Sequence, residues 1–384
     1  TKGGIAGAMT GVMAVGLKYI LVAIIIRFVG KNWLEKLLPP VVIGPMIMII
    51  GLGLAPSAIS QMGLSSEVLD WKVLIVAIVA LLVTALVMTR AKGFLKIIPF
   101  LVGIIAGYIV AVCLGVIDFQ GVLDAKFISV PDFHFPFIDY KLSFGALITI
   151  APIALVTLCE HIGDHTSLSN IIGKNLIKDP GLDKTLLGDG IATFVAGCIG
   201  GPANTTYGEN TSVVGMTKVA SIKVIGLAAI FAIIIGFLGK FTALINTIPG
   251  SVLGGVSLLL YGFIAVNGLK VLIKNQVDFE KSKNVVVASS MLVLGLGGAA
   301  VSIVSGDLSI TISGMSLASI VGILLNLFLP DEKDNELIVE VENIKSSNYE
   351  IMKEKLTKEI KDEVLDAIKK ELNLDKKAKK GSKK

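Results

Sequence analysis

Nine times in its first 330 residues this chain sustains an apolar run long enough to cross a bilayer: 4–28, 40–59, 73–88, 94–116, 144–172, 222–245, 252–273, 285–303 and 308–329. About 20 such residues span the hydrocarbon core as a helix. Backbone N–H and C=O groups must find partners inside the protein there, so repeated runs of this length predict helices. Two shorter apolar pieces within 186–216 are separated by Gly200-Gly201-Pro202, which brings the expectation to about eleven segments. Charged residues make up 17% of the chain, against about 25% in an ordinary soluble domain. Of the 65 charged side chains, 28 fall in 331–384. The sequence therefore predicts an all-α polytopic membrane protein with a charged tail, and argues against a soluble enzyme. The net charge of +5 does not point to nucleic acid, because Lys and Arg sit in short loops between the apolar runs.

Those loops also carry a polarity. Alternate ones hold Arg27, Lys31 and Lys36; Arg90, Lys92 and Lys96; Lys174, Lys178 and Lys184; Lys218 and Lys223; and Lys270, Lys274, Lys281 and Lys283. The intervening ones hold only Lys72, Lys126, Lys141 and Lys240. The positive-inside rule assigns the first set to the cytoplasm, so the tail is expected inside and Thr1 outside. A first residue outside with no signal peptide suggests an odd number of spans ahead of Thr1. The aromatic-rich loop 118–142 is expected at the outer interface. In the tail, Met352, Leu356, Ile360, Val364, Ile368 and Leu372 recur every four residues, predicting an amphipathic helix on the inner membrane face or paired with itself. Cys113, Cys159 and Cys198 lie in apolar runs without metal-ligand spacing, so buried, reduced, structural thiols are expected.

Two acidic islands interrupt this lipid-soluble text. Glu160-His161-Ile162-Gly163-Asp164-His165 ends one run, and Pro202-Ala203-Asn204-Thr205-Thr206-Tyr207-Gly208-Glu209-Asn210 follows another. Carboxylates at membrane depth are costly and usually face a cavity that handles a polar substrate or a proton. Glu160 and Asp164, four apart, share a helix face, while His161 and His165 form a second stripe about 100° round. His165 is expected to reach water at the end of its span. In the second island Pro202 and the two glycines break the helix. A short strand over 204–207 is expected, followed by a half-helix from Gly208 whose N-terminal N–H groups and partial positive charge could meet substrate carbonyls. Glu160 and Glu209 would accept from substrate N–H groups. A planar ring with alternating N–H and C=O fits such a set.

At these residues the chain resembles the nucleobase–ascorbate transporter family (nucleobase–cation symporter family 2), including its bacterial uracil permeases. The resemblance is carried by Glu160-His161-Ile162-Gly163, by Lys178-Asp179-Pro180-Gly181-Leu182, by Asn204 to Asn210, and by Gly254-Gly255-Val256-Ser257-Leu258-Leu259-Leu260-Tyr261-Gly262. It implies an inverted-repeat fold of fourteen segments with core and gate domains, of which the first three would be missing here, including the strand facing 202–207. The implied division is core at 1–30, gate and outer loop at 31–142, core with the substrate site at 143–247, gate at 248–330, and a cytoplasmic tail at 331–384. The implied function is proton-coupled uracil import across the inner (cytoplasmic) membrane by alternating access. Substrate would bind Glu160, Gly208, Glu209 and Asn210, and Asp164, Glu160 and Asp189 would couple protons. Glutamate at 209 resembles uracil members, whereas purine members carry glutamine. Asp164 stands where a uracil member has histidine and where xanthine transporters also carry aspartate, so a xanthine or purine permease is the alternative. A membrane metalloenzyme using Glu160, His161, Asp164 and His165 is a remote rival, lacking H-E-x-x-H spacing. No enzyme activity, metal, cofactor or nucleic-acid partner is expected; H⁺ is the expected coupling ion, membrane lipid an expected partner, and a homodimer is left open.

Overall fold

The computed structural model describes residues 4–136, 153–305 and 308–331, isolated positions between 138 and 150, and most of 352–370. Helices dominate: α1 (Gly4–Val29), α2 (Asn32–Leu37), α3 (Pro40–Gln61), α4 (Trp71–Arg90), α5 (Pro99–Cys113), α6 (Gln120–Asp124) and α7 (Ile153–Ile172). They continue as α8 (Leu182–Cys198), α9 (Gly208–Thr217), α10 (Ile222–Gly236), α11 (Gly239–Asn246), α12 (Gly250–Lys274), α13 (Ser282–Leu296) and α14 (Gly314–Phe328), with strands β1 (Ala300–Ser305) and β2 (Leu308–Ser313) before α14. Among the described residues α1, α3, α4 and α12 are long and apolar enough to cross a membrane singly. The chain divides into two compact units, Thr1–Pro330 and Asp331–Lys384. In the second, residues 352–361 are helical, and Met352, Leu356, Ile360, Val364 and Ile368 are exposed.

Four expectations need correction. The run at 222–245 is not one straight span: α10 and α11 meet at 86°. Gly236 and Gly239 bracket the break, and glycine is a weak helix former. The runs at 285–303 and 308–329 are not wholly helical either, because their adjoining ends pair as an antiparallel hairpin with Val301 opposite Ile312 and Ile303 opposite Ile310. Along β2 the aliphatic Leu308, Ile310 and Ile312 alternate with Ser309, Thr311 and Ser313, a period of two that suits a pleat and not a helix, and β1 is rich in β-branched Val and Ile. Ser302 and Thr311 meet through their hydroxyls at 3.0 Å. The strand expected over 204–207 is absent from the described ladders: 201–207 is chain without regular structure, although Tyr207 is extended (φ −111°, ψ 117°). A strand exists only against a partner's N–H and C=O groups, and none of the described residues supplies one. Cys113, expected buried, is exposed, whereas Cys159 is buried and Cys198 half-buried.

Glycine packing sets the walls around the acidic islands. α1 crosses α8 with Gly16 against Gly190; a Cβ on Gly16 would come within 2.5 Å of the Phe194 amide nitrogen and 2.8 Å of the Gly190 carbonyl. α12 lies on α3 in the same manner, Gly268 against Gly44 and Met48, so that an added Cβ would meet the Gly44 carbonyl at 2.5 Å. Such close backbone approach supplies dispersion contact where lipid gives no hydrophobic drive between helices. α10 is the opposite case: none of its residues is buried, and Phe231, Ile233 and Ile234 stand out from it, as an apolar helix facing lipid should. Replacing Gly16 by Leu should therefore lower the melting temperature of the detergent-solubilised protein, at about 1–3 kcal/mol for overpacking. Gly226→Leu on α10, where a Cβ meets nothing within 4 Å, should leave it unchanged.

Candidate functional site

The two acidic islands come together. Glu160 and Asp164 project from the same face of α7 and, with Gly163 and Ser167, form one wall of a small cavity. Gly208, first residue of α9, forms a second wall; Ile264, Asn267 and Val271 of α12 form a third, with Ile47 of α3 beside them. The cavity holds about 20 Å³, room for roughly one water molecule. It adjoins a larger vestibule of about 250 Å³ that shares Asp164, Ser167, Gly208 and Asn267 and adds Asn170, Ile171, Thr211, Lys270 and Lys274.

The segment before α9 is positioned by side chains instead of a ladder. The Thr205 hydroxyl donates to Glu160 Oε2 at 3.2 Å, and the Thr193 hydroxyl of α8 donates to the Asn204 carbonyl at 3.3 Å. The first bond turns one oxygen of Glu160 toward the broken chain and brings α7 and α9 into one site. Glycine at 208 permits the approach, since a Cβ there would lie 2.8 Å from Asn267 Nδ2 and 3.4 Å from Asp164 Oδ1. α9 has ten residues, so its first turn carries N–H donors that its own ladder does not use.

Asp189 goes elsewhere. On α8 it accepts from His161 Nδ1 at 3.2 Å, while His161 Nε2 lies 3.1 Å from the Thr185 hydroxyl. His161 is 1% exposed, so both ring nitrogens are satisfied in the dry contact between α7 and α8, with Tyr19 of α1 packed edge-on. His165 does not simply reach for water. It stacks on His161 at 4.1 Å and donates from Nδ1 to the His161 carbonyl at 2.9 Å, because the neighbouring ring and carbonyl lie one turn back on the same face. Asn210 is exposed and does not line the cavity. The Glu209 backbone is in the first turn of α9, but its side chain lies outside the described residues. Among the described residues no three of His, Cys, Asp and Glu gather as metal ligands.

The helix-borne acid pair, the chain break beside it and the glycine-packed helices around both lie within residues 1–304, the stretch that matches the sequence model of a permease family. The chain belongs to this permease family. The uracil permease of Bacillus subtilis (strain 168) is 46% identical over 341 residues, covering 87% of this chain and 78% of the relative. That of Bacillus caldolyticus is 47% identical over 336 residues, covering 86% and 76%. That of Escherichia coli (strain K12) is 40% identical over 323 residues, covering 83% and 73%. Among solved structures, the transmembrane domain of the cyanobacterium bicarbonate transporter BicA aligns over 85% of this chain and 90% of that one, at 14% identity and a TM-score of 0.37.

As a permease the chain is a multi-pass membrane transporter and not an enzyme, so the chemistry of its site is reversible binding. Asn267 and Thr205 went unnoticed in the sequence. Asn267 is a lone carboxamide in the apolar stretch 263–269, a signal open to the same reasoning that singled out Glu160; Thr205 had none beyond its place in the broken segment. The His161–Asp189 tie gives the permease a testable anchor. Asp189→Ala should destabilise it by about 1–3 kcal/mol, the cost of a buried donor without an acceptor. Asp189→Asn, which keeps a carbonyl oxygen for Nδ1–H, should recover most of that loss. Thermal melting in detergent measures both.

Proposed function

We propose that this permease imports uracil together with a proton across the cytoplasmic membrane, by alternating access between core and gate domains built as inverted repeats. The supporting observation is the meeting of Glu160, Asp164 and the start of α9 in one cavity; relatives bearing the name uracil permease at 40–47% identity supply the substrate. Uracil offers ring N–H groups for carboxylate oxygens and carbonyls for the donors of a helix N-terminus. Glu160 and Glu209 take the N–H groups, and the backbone at Gly208 takes a carbonyl. Asn210, exposed here, serves by closing the first turn of α9 around the bound ring.

Asp164 sits where the cavity joins the vestibule, a place from which a carboxyl can exchange protons with water while sensing an occupied site. Asp189 couples through His161, one residue from Glu160. Lys270 and Lys274 of the vestibule belong to the Lys- and Arg-rich loop set, so the vestibule opens to the cytoplasm and the tail lies on that side. At about 20 Å³ the cavity is narrower than a pyrimidine ring, as a closed state of an alternating-access carrier would be.

The decisive measurement is uracil binding and uptake by variants. Glu160→Gln and Glu209→Gln each exchange a charged acceptor for a mixed amide and should weaken uracil binding by about 1.5–3 kcal/mol, the range for hydrogen bonds to charged groups. Unchanged affinity in both would defeat the assignment. Asp164→Asn should spare binding and exchange of uracil while abolishing pH-driven accumulation; loss of both together would make Asp164 a ligand and not a coupling group.

A further inference from the structure

Opposite the acids stands a wall whose chemistry differs from theirs. α12 turns two faces to its surroundings: Ala265, Gly268 and Leu272 pack on α3, while Ile264, Asn267 and Val271 line the cavity. Spacings of three and four put each set on one stripe. The backbone contact at Gly268 fixes the rotation of α12 and so holds Asn267, the preceding residue, toward Gly208 and Asp164. Asn267 is the one α12 residue lining both the cavity and the vestibule.

The orientation of its carboxamide follows from Lys270. Lys270 Nζ lies 3.4 Å from Asn267 Oδ1, and an ammonium group only donates. The oxygen therefore faces Lys270 and the NH₂ faces the cavity, 2.8 Å from where a Cβ on Gly208 would stand. Carboxylates on α7 accept; this amide donates. A ring that fits both must present an N–H beside a carbonyl oxygen.

We propose that Asn267 is a specificity-determining contact: its NH₂ donates to a substrate carbonyl, selecting oxo-pyrimidines over their amino counterparts. Cytosine, which carries an amino group in place of one uracil carbonyl, sets donor against donor at this position. Lys270 is a positioning residue, acting only by holding the amide oxygen away from the cavity. The assignment rests on the cavity being the nucleobase site, as proposed above.

The test compares uracil and cytosine binding to the full chain, in detergent or nanodiscs, by competition with radiolabelled uracil and by direct binding of each base. The unaltered protein should favour uracil over cytosine. In Asn267→Ala uracil affinity should fall about tenfold, the scale of one lost hydrogen bond, while cytosine, relieved of the opposed donor, should bind no more weakly, so that the preference shrinks by at least the same factor. Lys270→Met leaves the cavity wall intact and frees the amide to rotate; it should keep uracil binding and relax the preference severalfold, which tests the assignment even if Asn267→Ala fails to fold. Equal loss of both bases in Asn267→Ala would indicate a structural role and overturn the assignment. So would an unchanged preference in Asn267→Ala or, if that variant fails to fold, in Lys270→Met. No uracil binding by the unaltered protein would overturn the proposed function and this assignment with it; binding with an unchanged preference overturns this assignment alone.

Discussion

A carboxylate within the bilayer must be given a polar partner or a wet cavity, and α7 carries two of them one turn apart. Most of the local architecture answers that requirement. Glu160 receives the Thr205 hydroxyl, which is within reach only because the chain between α8 and α9 is broken and laid beside α7. Asp164 borders a vestibule large enough for water. The break that supplies these partners would itself be intolerable against lipid, since irregular backbone survives at membrane depth only where protein or a cavity covers it. Acids and break therefore depend on each other, and both depend on the surrounding helices to keep lipid away.

That enclosure is built with glycine rather than with bulk. α1 against α8 and α12 against α3 meet backbone to backbone at Gly16–Gly190 and Gly44–Gly268. Close crossings leave few rotations open to each helix, so a side chain one position from the crossing is aimed by it. Asp189 precedes Gly190 and reaches His161; Asn267 precedes Gly268 and lines the cavity. The small residues that make the packing thus also point the polar ones.

Much of this was legible before any fold was known. Helices near residues 4–28, 40–59, 73–88 and 252–273 follow from unbroken apolar length, and their observed bounds differ by only a few residues. The shared face of Glu160 and Asp164, and a helix starting at Gly208, follow from helical spacing and from glycine and proline as breakers. What was not legible has a common cause. The bend between α10 and α11, the hairpin at 300–313 and the missing ladder at 204–207 lie in short apolar stretches where composition suits more than one conformation and tertiary partners decide. The His161–Asp189 pair joins residues 28 apart on different helices, and nothing local marks it.

The two histidines show how one six-residue stretch can serve two ends. Glu160 and Asp164 face the cavity, while His161 and His165, stacked on each other, face away from it toward α8 and α1. His161 spends both ring nitrogens on Asp189 and Thr185, so α7 cannot rotate without leaving buried polar groups unpaired, a penalty of about 1–3 kcal/mol for each. The helix that carries the acids is in this way held to α8, whereas α12 meets the cavity with two aliphatic side chains and a single amide. Any widening of so small a cavity to admit a ring is therefore cheaper on the α12 side: separating α12 from α7 parts the aliphatic contacts of Ile264 and Val271 and carries the Lys270–Asn267 bond along with its own helix, while moving α7 off α8 would break the buried histidine tie.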